Sequence, residues 1–191
     1  MKNYFASTLR ASVAIAATLF AIQVFAAQYS EIDIAKSKIS FTSKLMGSNL
    51  SGSFGKFSGK VTFNPDEPEK AKASLAIDIA SFTAGGEELQ EEAKGKDWFN
   101  TKSFPTANFV SESVKNLGAG KLEIHGVLTM KGKSEPVLIS AAYQVQGKQI
   151  IFDANFQLLR LQYALGSGSW SDTSAVANEV PVKVHLVLNQ K

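Results

Sequence analysis

Apolar side chains in this chain recur at every second position, and that period limits the possible folds more than any motif does. In "KFSGKVTF", Phe57, Val61 and Phe63 share one face while Ser58, Lys60 and Thr62 take the other. "KISFTSK" sets Ile39 and Phe41 together, and "ASLAIDIASF" opposes Leu75, Ile77 and Ile79 to Ala76, Asp78 and Ala80. "KLEIHGVLTM" directs Leu122, Ile124, Leu128 and Met130 one way and Lys121, Glu123, His125 and Thr129 the other. The alternation continues through Val137, Ile139 and Tyr143, through Ile150, Phe152 and Phe156, and through Val182, Val184, Leu186 and Leu188. Turn-forming stretches such as "NPDEPEK", "LGAG", "MKGKSE" and "VQGKQ" separate these runs. Connections this short exclude crossover helices and require antiparallel neighbours. The expected fold is therefore all-β, a meander of roughly eight strands that closes or folds over on itself. One segment departs from the period: "GGEELQEEAKGK" places Leu89 and Ala93 four apart, with acids first and lysines last, and predicts a short helix aligned with its own dipole.

The first 26 residues belong to a different kind of segment. Lys2 and Arg10 precede the apolar run "ASVAIAATLFAIQVFAA", and Val24 and Ala26 suit signal-peptidase cleavage before Ala27. The reading is a cleavable secretory signal over residues 1–26 and one domain over residues 27–191, which places the mature protein in the periplasm. Removing Lys2 and Arg10 from the 20 cations leaves 18 against 17 anions, so the basic character of the whole chain comes largely from the leader. Without a basic excess or an aromatic–basic cluster, nucleic acid is excluded as a partner class. The chain has no cysteine, so the domain holds without disulfides and carries no lipid-modified cysteine anchor. Only two histidines, His125 and His185, are available, too few with no cysteine to suggest a zinc site, and no cofactor or metal is expected.

The stretch "IHGVLTMKGKSEPV" invites a chemical reading because it combines His125, Thr129, two lysines and two glycines. A phosphate-cradling loop needs a strand leading into a helix, and the period-two pattern on both sides denies that context. Gly132 instead marks a hairpin turn, and Pro136 marks the start or an unpaired edge of the next strand. Both histidines fall inside strands, and no nucleophile elbow precedes a helix. Paired acids such as Glu87-Glu88 and Glu91-Glu92 fit a solvated helix face. The chain is read as a non-enzyme.

Ten of the thirteen phenylalanines lie in the mature part, with Trp98 and Trp170. An eight-stranded barrel is either filled by side chains or holds one small ligand. Gly59, Gly126 and Ala141 fall on inward faces, where a missing side chain either leaves room for a ligand or relieves curvature in a bent sheet. "KDWFNTKSFPTANF" puts Trp98 and Phe99 after the helix, as a plug or lip at one end of the barrel.

Four stretches carry a resemblance: "FGKFSGKVTF", "DWFNTKSFPTANFVSESV", "GVLTMKGKSEPVLI" and "GSGSWSDTSAVANEVPVKVHL". In this order, across the mature chain, they resemble the YceI family of exported lipid-binding proteins. The resemblance implies an extended antiparallel eight-stranded lipocalin-like barrel with a short helical insertion. It also implies a long apolar ligand, a polyisoprenoid, an isoprenoid quinone or a related lipid. On that reading Phe41, Phe57, Phe63, Phe109, Phe152 and Phe156 line the tunnel, and Trp98, Phe99, Tyr163 and Trp170 stand near an opening. The chain departs from the family pattern at "LLRLQYALG", where Gln162 and Ala164 replace an acid and a glycine, and at Lys36-Ser37, which replace a His-Ser pair. Exchange of the lipid with membranes is expected, and a homodimer is left open. Two other functions stay in play: a filled-core stress-response or interaction protein, and an enzyme acting on a lipid.

Overall fold

The computed structural model describes residues 28–191, so the expected signal segment lies outside the described residues. The elements are β1 (Tyr29–Ile32), β2 (Lys38–Leu45), β3 (Ser48–Phe54), β4 (Phe57–Thr62), β5 (Lys72–Asp78), β6 (Phe82–Ala84), α1 (Glu87–Lys94), β7 (Thr106–Gly118), β8 (Lys121–Met130), β9 (Lys133–Gln146), β10 (Gln149–Leu159) and β11 (Glu179–Gln190).

These eleven segments make eight strands, because three strands are broken in the middle. β1 and β2 both run antiparallel to β11 and are separated by a 3-10 turn at Ile34–Lys36. β3 passes into β4 across Gly55 and Lys56, and β5 passes into β6 through a 3-10 turn at Ile79–Ser81. Short polar side chains cause two of the breaks by offering the backbone a local partner. Asp33 accepts from the Lys36 amide at 3.3 Å, and Ser37 Oγ donates to the Asp33 carbonyl at 2.7 Å. Asp78 accepts from the Ala80 amide at 2.9 Å, while Ser81 Oγ donates to the Asp78 carbonyl at 2.6 Å. Alternation alone cannot mark such interruptions, which is why eight strands rather than eleven segments are legible in the sequence.

Each strand pairs antiparallel with the next, from β2–β3 and β4–β5 through β5–β7, β7–β8, β8–β9, β9–β10 and β10–β11. β11 then pairs back with β1 and β2, and Tyr29 and Phe63 exchange backbone hydrogen bonds of 2.9 and 3.0 Å. The meander thus closes on itself, and closure removes the exposed edges that an open sheet presents. The stretch beginning at Ile124 is a hairpin, as expected: Lys131 and Gly132, with φ of 49° and 73°, form a two-residue turn between β8 and β9. Pro136 faces Val127 on β8, while pairing of β9 with β10 begins only at Ser140, so its missing N–H falls on an unpaired edge. His125 lies exposed on the outer face beside Glu123, and His185 beside Asp153.

The two ends of the barrel differ. At the end where the described chain begins, Phe63 packs edge-on to Tyr143 and Phe152, both with ring centroids at 4.8 Å, above fully buried Ile150 and Leu188. This end is solid. At the opposite end the long connections gather: residues 85–105, which include α1, and residues 160–178. Between floor and far end the interior is hollow.

At Gly126 and Gly59 there is no spare room. A side chain on Gly126 would place its Cβ 2.5 Å from the Val110 carbonyl and 2.6 Å from the Phe109 ring, and one on Gly59 would meet the Ser74 carbonyl and, at 2.7 Å, Leu75 Cδ2. The backbone of the neighbouring strand approaches too closely for a Cβ, as in a strongly bent sheet, and that strand's side chain folds over the glycine. Gly126→Ala is accordingly expected to lower stability by about 1–3 kcal/mol, as overpacking does, read from the urea midpoint. An unchanged midpoint would show that β7, with its Val110 carbonyl and Phe109 ring, yields freely.

Candidate functional site

The hollow half of the barrel is an elongated apolar cavity of about 260 Å³. Its wall comes from inward positions of the strands. Phe63 and Phe152 form its floor, and Phe41, Phe109 and Phe156 stand along its sides. Trp98, Phe99 and Trp170 border the end under the long connections. Eight of the ten aromatic residues singled out in the sequence are therefore brought together around one space. The other two are placed differently. Phe57 is buried in the core against the wall but does not reach the cavity. Tyr163, expected near the opening, is only 1% exposed and packs in the core without lining the cavity. It sits on a 3-10 turn at Arg160–Tyr163, where strand parity no longer tells which way a side chain points.

A second aromatic group borders the cavity near its far end. Phe82 lies 5.5 Å from Phe41, 5.8 Å from Phe54 and 5.4 Å from Phe99, centroid to centroid. Such contacts add about 0.5–1.5 kcal/mol per pair beyond burial, so this part of the wall is preformed.

The residue that alternation could have found and inspection for aromatics missed is Arg160. On β10 the inward side carries Ile150, Phe152, Ala154, Phe156 and Leu158, and Arg160 is the next residue in that series. Its guanidinium is 2% exposed and borders the cavity. Nε donates to the Ala177 carbonyl at 3.1 Å, Nη1 to Leu165 at 2.7 Å and Gly166 at 3.2 Å, and Nη2 to Trp170 and Val176, both at 2.8 Å. Trp98 covers one face of the group, with its ring centroid 5.5 Å away. Every N–H is satisfied, and all five acceptors come from the one connection between β10 and β11. Arg160 thus organises residues 160–178 around itself. Among the described residues no carboxylate pairs with it, and burial lowers its pKa.

Nearby polar groups are also engaged. Lys131 Nζ donates to the Ala164 carbonyl at 2.7 Å, and burial lowers its pKa against the opposing pull of Asp97. Glu92 accepts from Trp170 Nε1 at 3.0 Å, and Ser111 Oγ, beside β5, accepts from the Ala73 amide at 2.8 Å. The cavity therefore presents hydrocarbon and aromatic surface with little free hydrogen-bonding capacity.

The fold is a closed antiparallel barrel around an apolar cavity. The comparisons with known proteins agree on its family. The YceI-like domain profile matches residues 31–188, and the chain belongs to that family. An UPF0312 protein of Shewanella oneidensis is 35% identical over 133 residues, 68% of this chain and 70% of its own. An UPF0312 protein of Ectopseudomonas mendocina is 36% identical over 99 residues, so the chain spans about half, 52%, of that relative's length. Among solved structures, Burkholderia cenocepacia BcnA is 40% identical with a TM-score of 0.80, covering 82% of this chain and 99% of that one. A polyisoprenoid-binding domain from Saccharophagus degradans shares the fold, with a TM-score of 0.67 at 17% identity over 85% of this chain and 98% of its own.

One departure, Ala164, and its neighbour Tyr163 acquire physical meaning here. Ala164, where the resemblance implies a glycine, adopts φ 54° and ψ 35°, a left-handed conformation that is strained for any residue with a Cβ. Ala164→Gly is expected to raise the unfolding free energy by about 1 kcal/mol; a loss of stability would mean that the Ala164 methyl makes packing contacts that outweigh the strain. The Tyr163 hydroxyl is buried with no partner in the protein. Burial, reinforced by Glu135, pushes its pKa up to about 12. Because the folded state holds this proton more tightly than the unfolded state, stability is full below about pH 10 and declines as pH rises toward 12. Tyr163→Phe should abolish that part of the alkaline decline and, at neutral pH, stabilise by about 1 kcal/mol, both read from denaturant titrations. A destabilisation of that size would reveal a bound water satisfying the hydroxyl.

Proposed function

We propose that this protein binds a long apolar ligand, an isoprenoid, isoprenoid quinone or related lipid, with its chain in the barrel cavity, and that it carries or stores that lipid in the periplasm. The observation that carries the reading is the cavity itself, hollow and hydrocarbon-lined above a packed aromatic floor. The shared fold with a domain described as polyisoprenoid-binding supports it. A filled-core interaction protein would not leave this space. A lipid-acting enzyme would need a free polar pair facing the ligand, whereas Arg160, Glu92 and Ser111 are bound to groups of the protein itself, and the other polar lining residues, Ser43 on β2 and Lys72 on β5, lie on strands that do not pair with each other.

Energetics fit a carrier. Burying a methylene away from water is worth about 0.8 kcal/mol, so an aqueous lipid binds with a large gross gain. A lipid drawn from a bilayer leaves one apolar environment for another and gains little more. Net preference is then small, and exchange with membranes follows. The cavity, at about 260 Å³, lies just below the range of about 300–1,000 Å³ usual for small-ligand sites, so a long prenyl tail requires the wall to yield.

Substituting Ala154→Trp, or Val182→Phe as a milder change, fills the cavity from its own wall. Affinity for a fluorescent fatty-acyl probe, and the ability of a polyprenol to displace it, should fall at least about tenfold while the thermal midpoint is kept. Equal affinity in the filled variants would place any bound lipid on the surface. Export is tested separately: the intact mass from the periplasm should correspond to residues 27–191, and a mass that includes the leader would contradict cleavage.

A further inference from the structure

The sheet around the cavity has unpaired stretches, between the start of β9 and the end of β10 and between β6 and β7, and only the second is covered by a helical segment. β6 pairs with β3 alone, over Gly52–Ala84 to Phe54–Phe82, and β7 joins β5 only up to Asp78–Thr106. Between β6 and β7 the barrel is closed by residues 85–105 rather than by a strand. Leu89, Glu92, Ala93, Trp98 and Phe99 of this segment form that part of the wall.

The panel is built differently from the rest of the barrel. Of the eight residues in α1 only Ala93 is buried, so little apolar area holds the helix itself in place, and the segment's main anchor is Phe99 beyond it, against Phe54 and Phe82. Gly85, at φ 59°, and Gly86 precede it, and Gly95 follows it. Its far edge meets the connection after β10 through a small set of contacts. Gly166 and Ser167 amides donate to the Asp97 carbonyl at 2.8 and 2.9 Å, and Ser167 Oγ donates to the Asp97 carboxylate at 2.9 Å. Trp170 Nε1 donates to Glu92, and the Trp98 and Trp170 rings meet at 5.8 Å. The opposing connection is the stiffer partner, since five of its carbonyls are fixed on Arg160.

From this asymmetry we infer that residues 85–105 are a lateral door to the cavity, hinged at Gly85-Gly86 and latched by Asp97–Ser167 and Glu92–Trp170 against a post that Arg160 holds rigid. The inference rests on the binding reading above and adds the route: cargo enters through the side between β6 and β7, and the same movement supplies the extra volume that a long tail requires.

The absence of cysteine allows a clean lock. In the full chain, Asp97→Cys with Ser167→Cys introduces two thiols at positions whose native side chains touch, and formation of the disulfide is verified by mass. Two readouts apply to the reduced and oxidised forms: amide hydrogen exchange across residues 85–105, and stopped-flow uptake of dansyl-undecanoic acid. Reduced, the amides of residues 87–101 should exchange at least tenfold faster than those of residues 160–178. Oxidation should slow both that exchange and probe uptake tenfold or more while leaving the final bound amount unchanged. Amides in 87–101 as slow as the opposing connection, or uptake indifferent to a disulfide verified by mass, would overturn the door. A probe that binds neither form would instead count against lipid binding, with amide exchange still deciding whether the panel opens.

Discussion

The last strand, β11, pairs back with β1 and β2 of the first and turns a meander into a barrel, and two reciprocal backbone hydrogen bonds between Tyr29 and Phe63 complete the ring at its floor. Everything else follows from that closure. Once closed, eight strands enclose more space than their inward side chains fill, and the chain spends its bulk unevenly. Phe63, the residue that closes the ring, also stacks edge-on with Tyr143 and Phe152 to form the floor. The same contact thus seals the sheet and concentrates the packing at one end, which leaves the other end hollow. Each of these large side chains contributes on the order of 1.5–3 kcal/mol of burial, so the floor is where the core's stability is gathered.

The hollow end has to stay open without collapsing, and a buried charge serves that purpose. Arg160 lines the cavity, yet its five donors all turn to the backbone of the connection that caps the barrel. An arginine left unpaired in an apolar interior would be strongly unfavourable; carbonyl dipoles and the face of Trp98 supply the compensation here. The connection is ordered by Arg160 together with Tyr163, Leu165 and Val176, which are buried beneath it.

Much of this was legible in the sequence because a period of two survives wherever a strand is regular. Phe41, Phe63, Phe109, Phe152 and Phe156 reach the cavity because strand parity sends them there, and the hairpin at Lys131-Gly132 follows from its flanking alternation. Legibility fails where the backbone leaves the strand. Tyr163 sits one short turn beyond β10, and that turn rotates it into the core. Phe57 obeys parity but stops at the wall, since alternation gives direction and not depth. Gly59 and Gly126 read as gaps because the backbone carbonyl and side chain that crowd each belong to another strand. Arg160 was hidden for the opposite reason. It keeps the parity of β10, but a charged residue on an apolar face looks like an error until its five acceptors are seen.

The central claim is that this cavity carries a lipid, and native mass spectrometry of the protein purified from the cells that make it tests it most directly. A discrete excess over the polypeptide mass, released by organic extraction as an isoprenoid, quinone or fatty-acyl compound, is the predicted result. A bare polypeptide mass that stays unchanged after incubation with polyprenols and quinones would contradict the account and leave only the barrel.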